Sequence, residues 1–402
     1  MPVSPISSGL QVAGELSVVI VGGGYAGMIA ANRLRGSLTP AEVARVRVTI
    51  VNPIDRFVHR IRLHEFAGGG DDPTYDFPSM VGESVGIVVG RVVRIDAARR
   101  RLAIATASGP RELGYDRLVY AVGSRPALRV PGVAEHALTI GELGGAARVR
   151  ARLTDGAREI VVVGGGPTGI EVAAELAESY PRARVTMLTG AVARGMRPAA
   201  RRRIARGLRR LGVDILEDAR VVRVHPGGAE LADGRFLRAD ATVWAAEFEV
   251  PALAADSGLP VDETGRLLVD ETLACIADPA IVGAGDAVRV PASVGAHLSM
   301  GARTALPLGL AAAERILAEL RGTAPQPISI GLLGPSISLG RKDGYIQLTR
   351  HDDSPTPIAF TGRLGAAIKD WVCRMTIDSP REELTRPGAY RVPRGPRSQA
   401  AG

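Results

Sequence analysis

The chain is poor in cysteine, with only Cys275 and Cys373 among 402 residues. They stand far apart and form no CxxC pair, so neither a disulfide framework nor a cysteine zinc site is expected. Both read more simply as packed thiols than as redox centres. No uninterrupted apolar run reaches the ~18 residues that a membrane-spanning helix needs. The opening MPVSPISSGLQVAGEL lacks the basic start and apolar centre of a secretory signal, which makes the cytoplasm the expected location. No short-period tandem repeat is present either.

What is present fits a soluble globular protein: 46% hydrophobic and 23% charged residues, in a length that calls for two or three domains. The formal net charge is +8, carried mostly by arginine. It suits an anionic cofactor, an anionic partner or a membrane face, although a generally basic surface is the commoner explanation for a chain of this size. No nucleic-acid partner is expected.

The glycines carry the chemistry. VVIVGGGYAGMIAANRL, Val18 to Leu34, reads as a buried strand, a turn with Gly22, Gly24 and Gly27 in G-x-G-x-x-G spacing, and a helix. The first glycine permits the tight turn, the second lets the backbone approach a pyrophosphate, and the third lets helix and strand pack closely. A second strand, VRVTIVN, ends at Asn52, where a ribose-binding acid is usual. VVVGGGPTGIEVAAEL, Val161 to Leu176, repeats the pattern with Gly164, Gly166 and Gly169, and its second strand ends at Thr189. Between the copies lie hairpin material from Gly90 to Gly109 and YDRLVYAVGSRP, a strand ending in a small-residue turn at Gly123. Farther on, PAIVGAGDAVRV puts Gly285 and Asp286 directly after a strand, and a helix runs from about Ala305 to Leu320.

VVIVGGGYAG, LVYAVGS, VVVGGGPTGIEVAAEL and IVGAGDAVRV follow one another in this order across Val18 to Leu320. With them the chain resembles the two-dinucleotide-binding flavoproteins, above all the type II NADH dehydrogenase and apoptosis-inducing-factor-like branch. The resemblance implies an α/β fold with two Rossmann-like domains and a small α+β C-terminal domain. An FAD domain would comprise 1–128 and 256–324, with an NAD(P)H domain, 129–255, inserted in it. An interface region, 325–385, and a basic tail, 386–402, would follow. FAD would lie along Gly22, Gly24 and Gly27, with Asn52 at its adenosine ribose and Asp286 at its ribityl or pyrophosphate part. The backbone around Thr304 to Leu306 would face the flavin pyrimidine. NADH or NADPH would use Gly164, Gly166 and Gly169, and hydride transfer would depend on proximity and orientation. A small-molecule acceptor, quinone-like or otherwise aromatic, would then be reduced. A tailoring oxidoreductase acting on one metabolite and a nucleotide-sensing flavoprotein signalling to a protein partner stand as alternatives.

Several side chains are singled out within this frame. Glu171 matches the acid of the family's GGGxTGxE stretch and would lie near the flavin; the plain alternative is a helix-start carboxylate stabilised by the dipole. Thr189 lacks the acid that specifies NADH, so NADPH becomes plausible, with Arg194 as a phosphate-binding candidate. Arg201 to Arg203 read equally well as a solvated face. Arg60 and His64 share one face if FVHRIRLHEFAGG is helical, His64 as a proton source or as a hydrogen-bonded seam residue. Arg303 and Pro307 stand where quinone-reducing relatives carry paired glutamines, and Arg303 would orient a substrate or lie on the surface. Glu247 replaces a glycine usual in the family. The CxxxxC pair of disulfide reductases is missing, which sets dithiol relay chemistry aside. Leu364, Ile368, Trp371 and Met375 form one face of a C-terminal helix. Docking on the protein body is favoured for it, with peripheral membrane contact or a homodimer as the other uses.

Overall fold

The computed structural model describes residues 15–396; the opening residues and the last part of the basic tail lie outside them. β1 (Leu16–Val21), α1 (Tyr25–Ser37) and β2 (Val46–Asn52) form a parallel βαβ unit, with Leu16 opposite Val46 and Val21 opposite Val51. Strands Gly86–Val89, Arg117–Tyr120 and Ile281–Gly283 complete a five-stranded parallel sheet in which β1 is central. Val18, Val19 and Ile20 are fully buried, as expected of a strand covered on both faces.

A short helix, α2 (Leu63–Ala67), leads towards the second unit. There β3 (Glu159–Val163), α3 (Pro167–Ser179) and β4 (Arg184–Leu188) repeat the geometry, with Glu159 opposite Arg184 and Val163 opposite Leu188. Helix α4 (Pro198–Arg210) returns the chain to β5 (Asp214–Leu216), and strands 138–139 and 241–244 complete this parallel sheet. The Gly90–Gly109 region forms the expected hairpin, extended to three antiparallel strands by Gly109–Gly114.

Helix α5 (Ala302–Leu320) packs on α1 so closely that a Cβ at Gly309 would sit 2.2 Å from the Ala26 carbonyl oxygen. The C-terminal α+β elements are an antiparallel sheet of 336–338, 344–349 and 355–361, and the long helix α6 (Gly362–Thr385). They bridge the two units. Ile337, Leu339 and Tyr345 join the core of the second, while Ile328, Ile330, Leu332 and Ile377 join that of the first.

Two expectations need correction here. Residues 386–396 are not a free tail. Glu383, fully buried, accepts hydrogen bonds from Arg33 Nη1 (2.8 Å), Gly388 N (3.0 Å) and Tyr390 N (2.5 Å). This turns the chain back so that Tyr390 and Val392 pack on the first core and Pro393 O receives Gly331 N at 2.7 Å. Nor does the apolar stripe of α6 dock on the body: Leu364 is 58% and Trp371 55% exposed. The buried face is instead that of Gly365, Lys369, Cys373 and Thr376, because Lys369 finds a buried carboxylate there. Among the described residues no helix is long and apolar enough to cross a membrane.

Replacing Glu383 with alanine leaves two backbone donors without their acceptor and Arg33 with Glu314 alone. The expected loss is about 2–3 kcal/mol in urea unfolding, with Glu383→Gln recovering part of it.

Candidate functional site

Both glycine turns are built alike. Gly22 has φ +106°, and a Cβ there would lie 2.2 Å from Ala121 O; Gly164 has φ +127° and backs onto Ala245 O in the same way. Gly27 and Gly169 press on the carbonyls of Gly22 and Gly164, where any side chain would collide. Gly24 and Gly166, by contrast, face open space and cap α1 and α3 with no side-chain hydrogen bond. Each helix therefore starts with N–H groups that no side chain has taken, beside a gap left by a missing Cβ. That is the cradle a dinucleotide pyrophosphate requires.

The neighbours of the first cradle are more committed than the sequence implied. Asn52 accepts Gly23 N–H on Oδ1 (2.9 Å) and donates Nδ2 to Ile54 O (2.8 Å), so it buttresses the glycine turn. Asp286 accepts Ser124 Oγ (2.7 Å) on one oxygen and Gly301 N (2.8 Å) on the other, joining the turn after Gly123 to the start of α5. Gly285, with φ +78°, sits against Ala26. The N–H groups of Thr304 and Ala305 are held by Gly301 O, and the Leu306 side chain is core.

Neither candidate substrate arginine is free. Arg60 donates to Gly141 O (3.0 Å) and Ser124 O (2.9 Å), fastening the turn beside Gly123. Arg303 holds Asp353 through two bonds of 2.7 and 2.6 Å, and also Ser299. The reason is the same for both: a half-buried guanidinium needs acceptors, and nearby carbonyls and a carboxylate supply them.

Glu171 lies beyond the first turn of α3, which removes the helix-start reading. It points to Lys369 Nζ at 2.8 Å and accepts Ser338 N at 3.1 Å. Burial works against charge on both groups, but each outweighs that cost for the other. Glu171 is held below the ordinary carboxylate value by Lys369, with His64 and Ser338 assisting, and Lys369 is held above its own by Glu171. His64, on α2, is buried beside them; burial lowers its pKa and its Nε2 has no hydrogen-bond partner. His59 Nε2 meets Thr376 Oγ1 at 3.1 Å, and burial pushes its pKa from 6.5 to about 3, with Arg62 and Lys369 adding to the fall. Beyond this buried cluster an ion network continues through Glu175, Arg341, Glu65, Arg62 and Asp370.

Lys369 was missed in the sequence. Its signal is compositional: it is one of only two lysines in a chain that otherwise uses arginine. A buried ammonium, unlike a guanidinium, can give up its proton.

In the second cradle the Thr189 hydroxyl turns inward to Ala191, donating to its O and accepting from its N, both at 3.1 Å. Arg194 is exposed beside Gly190 and has no ion pair among the described residues. Arg203 is spent on Asp343. Glu247 is exposed with φ +55°, the left-handed conformation for which glycine is suited.

Residues 16–301 match the pyridine nucleotide-disulphide oxidoreductase family. An NADH dehydrogenase-like protein of Mycobacterium tuberculosis is 32% identical over 331 residues, covering 75% of this chain and 80% of the relative. A type II NADH:quinone oxidoreductase of Haemophilus influenzae is 26% identical, covering 83% and 87%. In fold, the NDH2 of Plasmodium falciparum solved with NADH is similar at a TM-score of 0.75, with 14% identity and coverage of 94% and 99%. The sulfide:quinone oxidoreductase of Aquifex aeolicus is similar at 0.75, with 17% identity and 93% of each chain covered. The chain belongs to the pyridine nucleotide-disulphide oxidoreductase family and is an oxidoreductase.

Below pH 6.5 the unfolded chain takes up a proton that native His59 refuses until about pH 3. Stability therefore falls with acid across that window, by up to about 1.4 kcal/mol per pH unit for this residue. Urea unfolding at several pH values should show that slope, and His59→Gln should reduce it, leaving the share that buried His64 contributes. Glu247→Gly should raise stability by about 0.5–1 kcal/mol by removing a left-handed non-glycine residue, read as a higher unfolding midpoint.

Proposed function

We propose that this member of the family is an FAD-dependent NAD(P)H oxidoreductase that delivers electrons to a small aromatic acceptor of the quinone type. The observation that carries the reading is the pair of uncapped helix starts, each on a glycine turn with one open glycine. FAD would be held by Gly22, Gly24 and Gly27 at α1, with the Asp286 region at the start of α5; NADH or NADPH would be held by Gly164, Gly166 and Gly169 at α3. A bound flavin supplies two-electron redox chemistry that no side chain here can provide. The chain's own part is to orient the two nucleotides and to manage protons.

Reducing a quinone-like acceptor consumes two electrons and two protons. Lys369 Nζ holds one proton in a buried place, and Glu171 keeps it charged until an acceptor draws on it. His64 is the neutral neighbour able to take part in resupply. The names of the relatives, NADH dehydrogenase-like and NADH:quinone oxidoreductase, support the acceptor class. The exposed stripe of Leu364, Trp371 and Met375 then has a use as a peripheral contact with a membrane face, where lipophilic quinones reside.

Anaerobic mixing of the purified, flavin-loaded protein with NADH and NADPH should bleach flavin absorbance; no bleaching by either would overturn the reading. Lys369→Met should slow reoxidation by a soluble quinone by about a hundredfold or more while bleaching persists. The double variant Glu171→Gln/Lys369→Met controls for a single variant that fails to fold around an unpaired carboxylate.

A further inference from the structure

The turn after β4 is where the adenosine ribose of a dinucleotide on the second cradle would rest. Thr189 is a poor partner for it: the residue is buried, its one hydroxyl proton goes to Ala191 O, and its oxygen already accepts Ala191 N. The turn is clamped onto the glycines: Ala193 N donates to Gly165 O at 2.8 Å, and a Cβ on Gly165 would meet Thr189 Oγ1 at 2.2 Å. The chain leaving β5 runs beside this turn, with Thr189 N bonded to Leu216 O and Ala219 N to Thr189 O, both at 3.1 Å. From that segment Glu217 reaches across, and its Oε1 accepts Val192 N at 2.9 Å. Arg201 Nη2 approaches the same oxygen at 3.5 Å. Oε2 has no partner among the described residues, and the side chain is 43% exposed.

We propose that Glu217 supplies, from the segment just after β5, the acid missing from the end of β4, and so makes NADH the preferred donor. Oε2 accepts a ribose hydroxyl, while the same charge repels a 2′-phosphate. The opposing cations do not reverse the balance. Arg201 is already engaged with Val192 O at 3.1 Å and with Glu217, which leaves Arg194 as the uncommitted arginine beside the turn. Asp218, exposed next to Glu217, adds negative charge. The inference rests on the two-nucleotide reading above and reverses the preference that Thr189 alone implies.

The test measures binding of NAD+ and NADP+ to the flavin-loaded protein by calorimetry, in the parent chain and in Glu217→Gln. The glutamine keeps an acceptor for Val192 N but loses the charge, so the turn survives. The parent should bind NAD+ about tenfold more tightly than NADP+, and Glu217→Gln should bring the ratio near one. Thr189→Val, which loosens the turn itself, should weaken both ligands together. Tighter NADP+ binding by the parent, or a ratio unchanged in Glu217→Gln, overturns the role of Glu217 and leaves the second cradle standing. Binding of neither nucleotide overturns the cradle reading, and this inference with it.

Discussion

A carboxylate and an ammonium group buried together tolerate little displacement, because each leaves the other uncompensated when it moves. Glu171 and Lys369 are such a pair. Through them α3, which opens on the second cradle, is tied to α6, and Ser338 adds the C-terminal sheet to the same carboxylate. Replacing the pair by apolar groups need not cost much stability, so its value lies in position. It holds three separately built elements around one proton-bearing spot and keeps α2 with His64 against them.

The two nucleotide-binding units share their glycine mechanics and differ in what stands beside them. In the first, the residue ending the second strand reaches back to the turn: Asn52 grips Gly23, and Phe77 fills the space against it. In the second, Thr189 serves only its own turn, and the contact with Gly165 is steric. A unit stiffened by side chains around its turn suits a ligand that stays. One whose rim ends in a half-exposed carboxylate suits a ligand that comes and goes.

Much of the fold was legible because its demands are local. A buried strand needs valine and isoleucine, a sharp turn needs glycine, and both act over a dozen residues; hence both βαβ units and the hairpin. What escaped was pairing across the chain. Arg60 and Arg303 looked available because Ser124, Gly141 and Asp353 are remote or unremarkable in sequence. Periodicity showed which residues of α6 share a face, but not that the polar face would be the buried one. That outcome depends on Glu171, almost two hundred residues earlier. The arginine- and proline-rich end read as a tail because nothing local marks Glu383 as its anchor.

That anchor has a consequence for biosynthesis. Asn32, fully buried in α1, donates to Pro380 O at 2.7 Å, and Arg33 pairs with Glu383; both partners lie about 350 positions downstream. At roughly 5–20 residues per second of translation, that side of α1 waits about 20–70 s for its partners. Until then Asn32 donates to Met80 O alone and Arg33 pairs with Glu314 alone, and α1 in a nascent chain with both glycine turns already formed lacks the cover that the C-terminal segment brings.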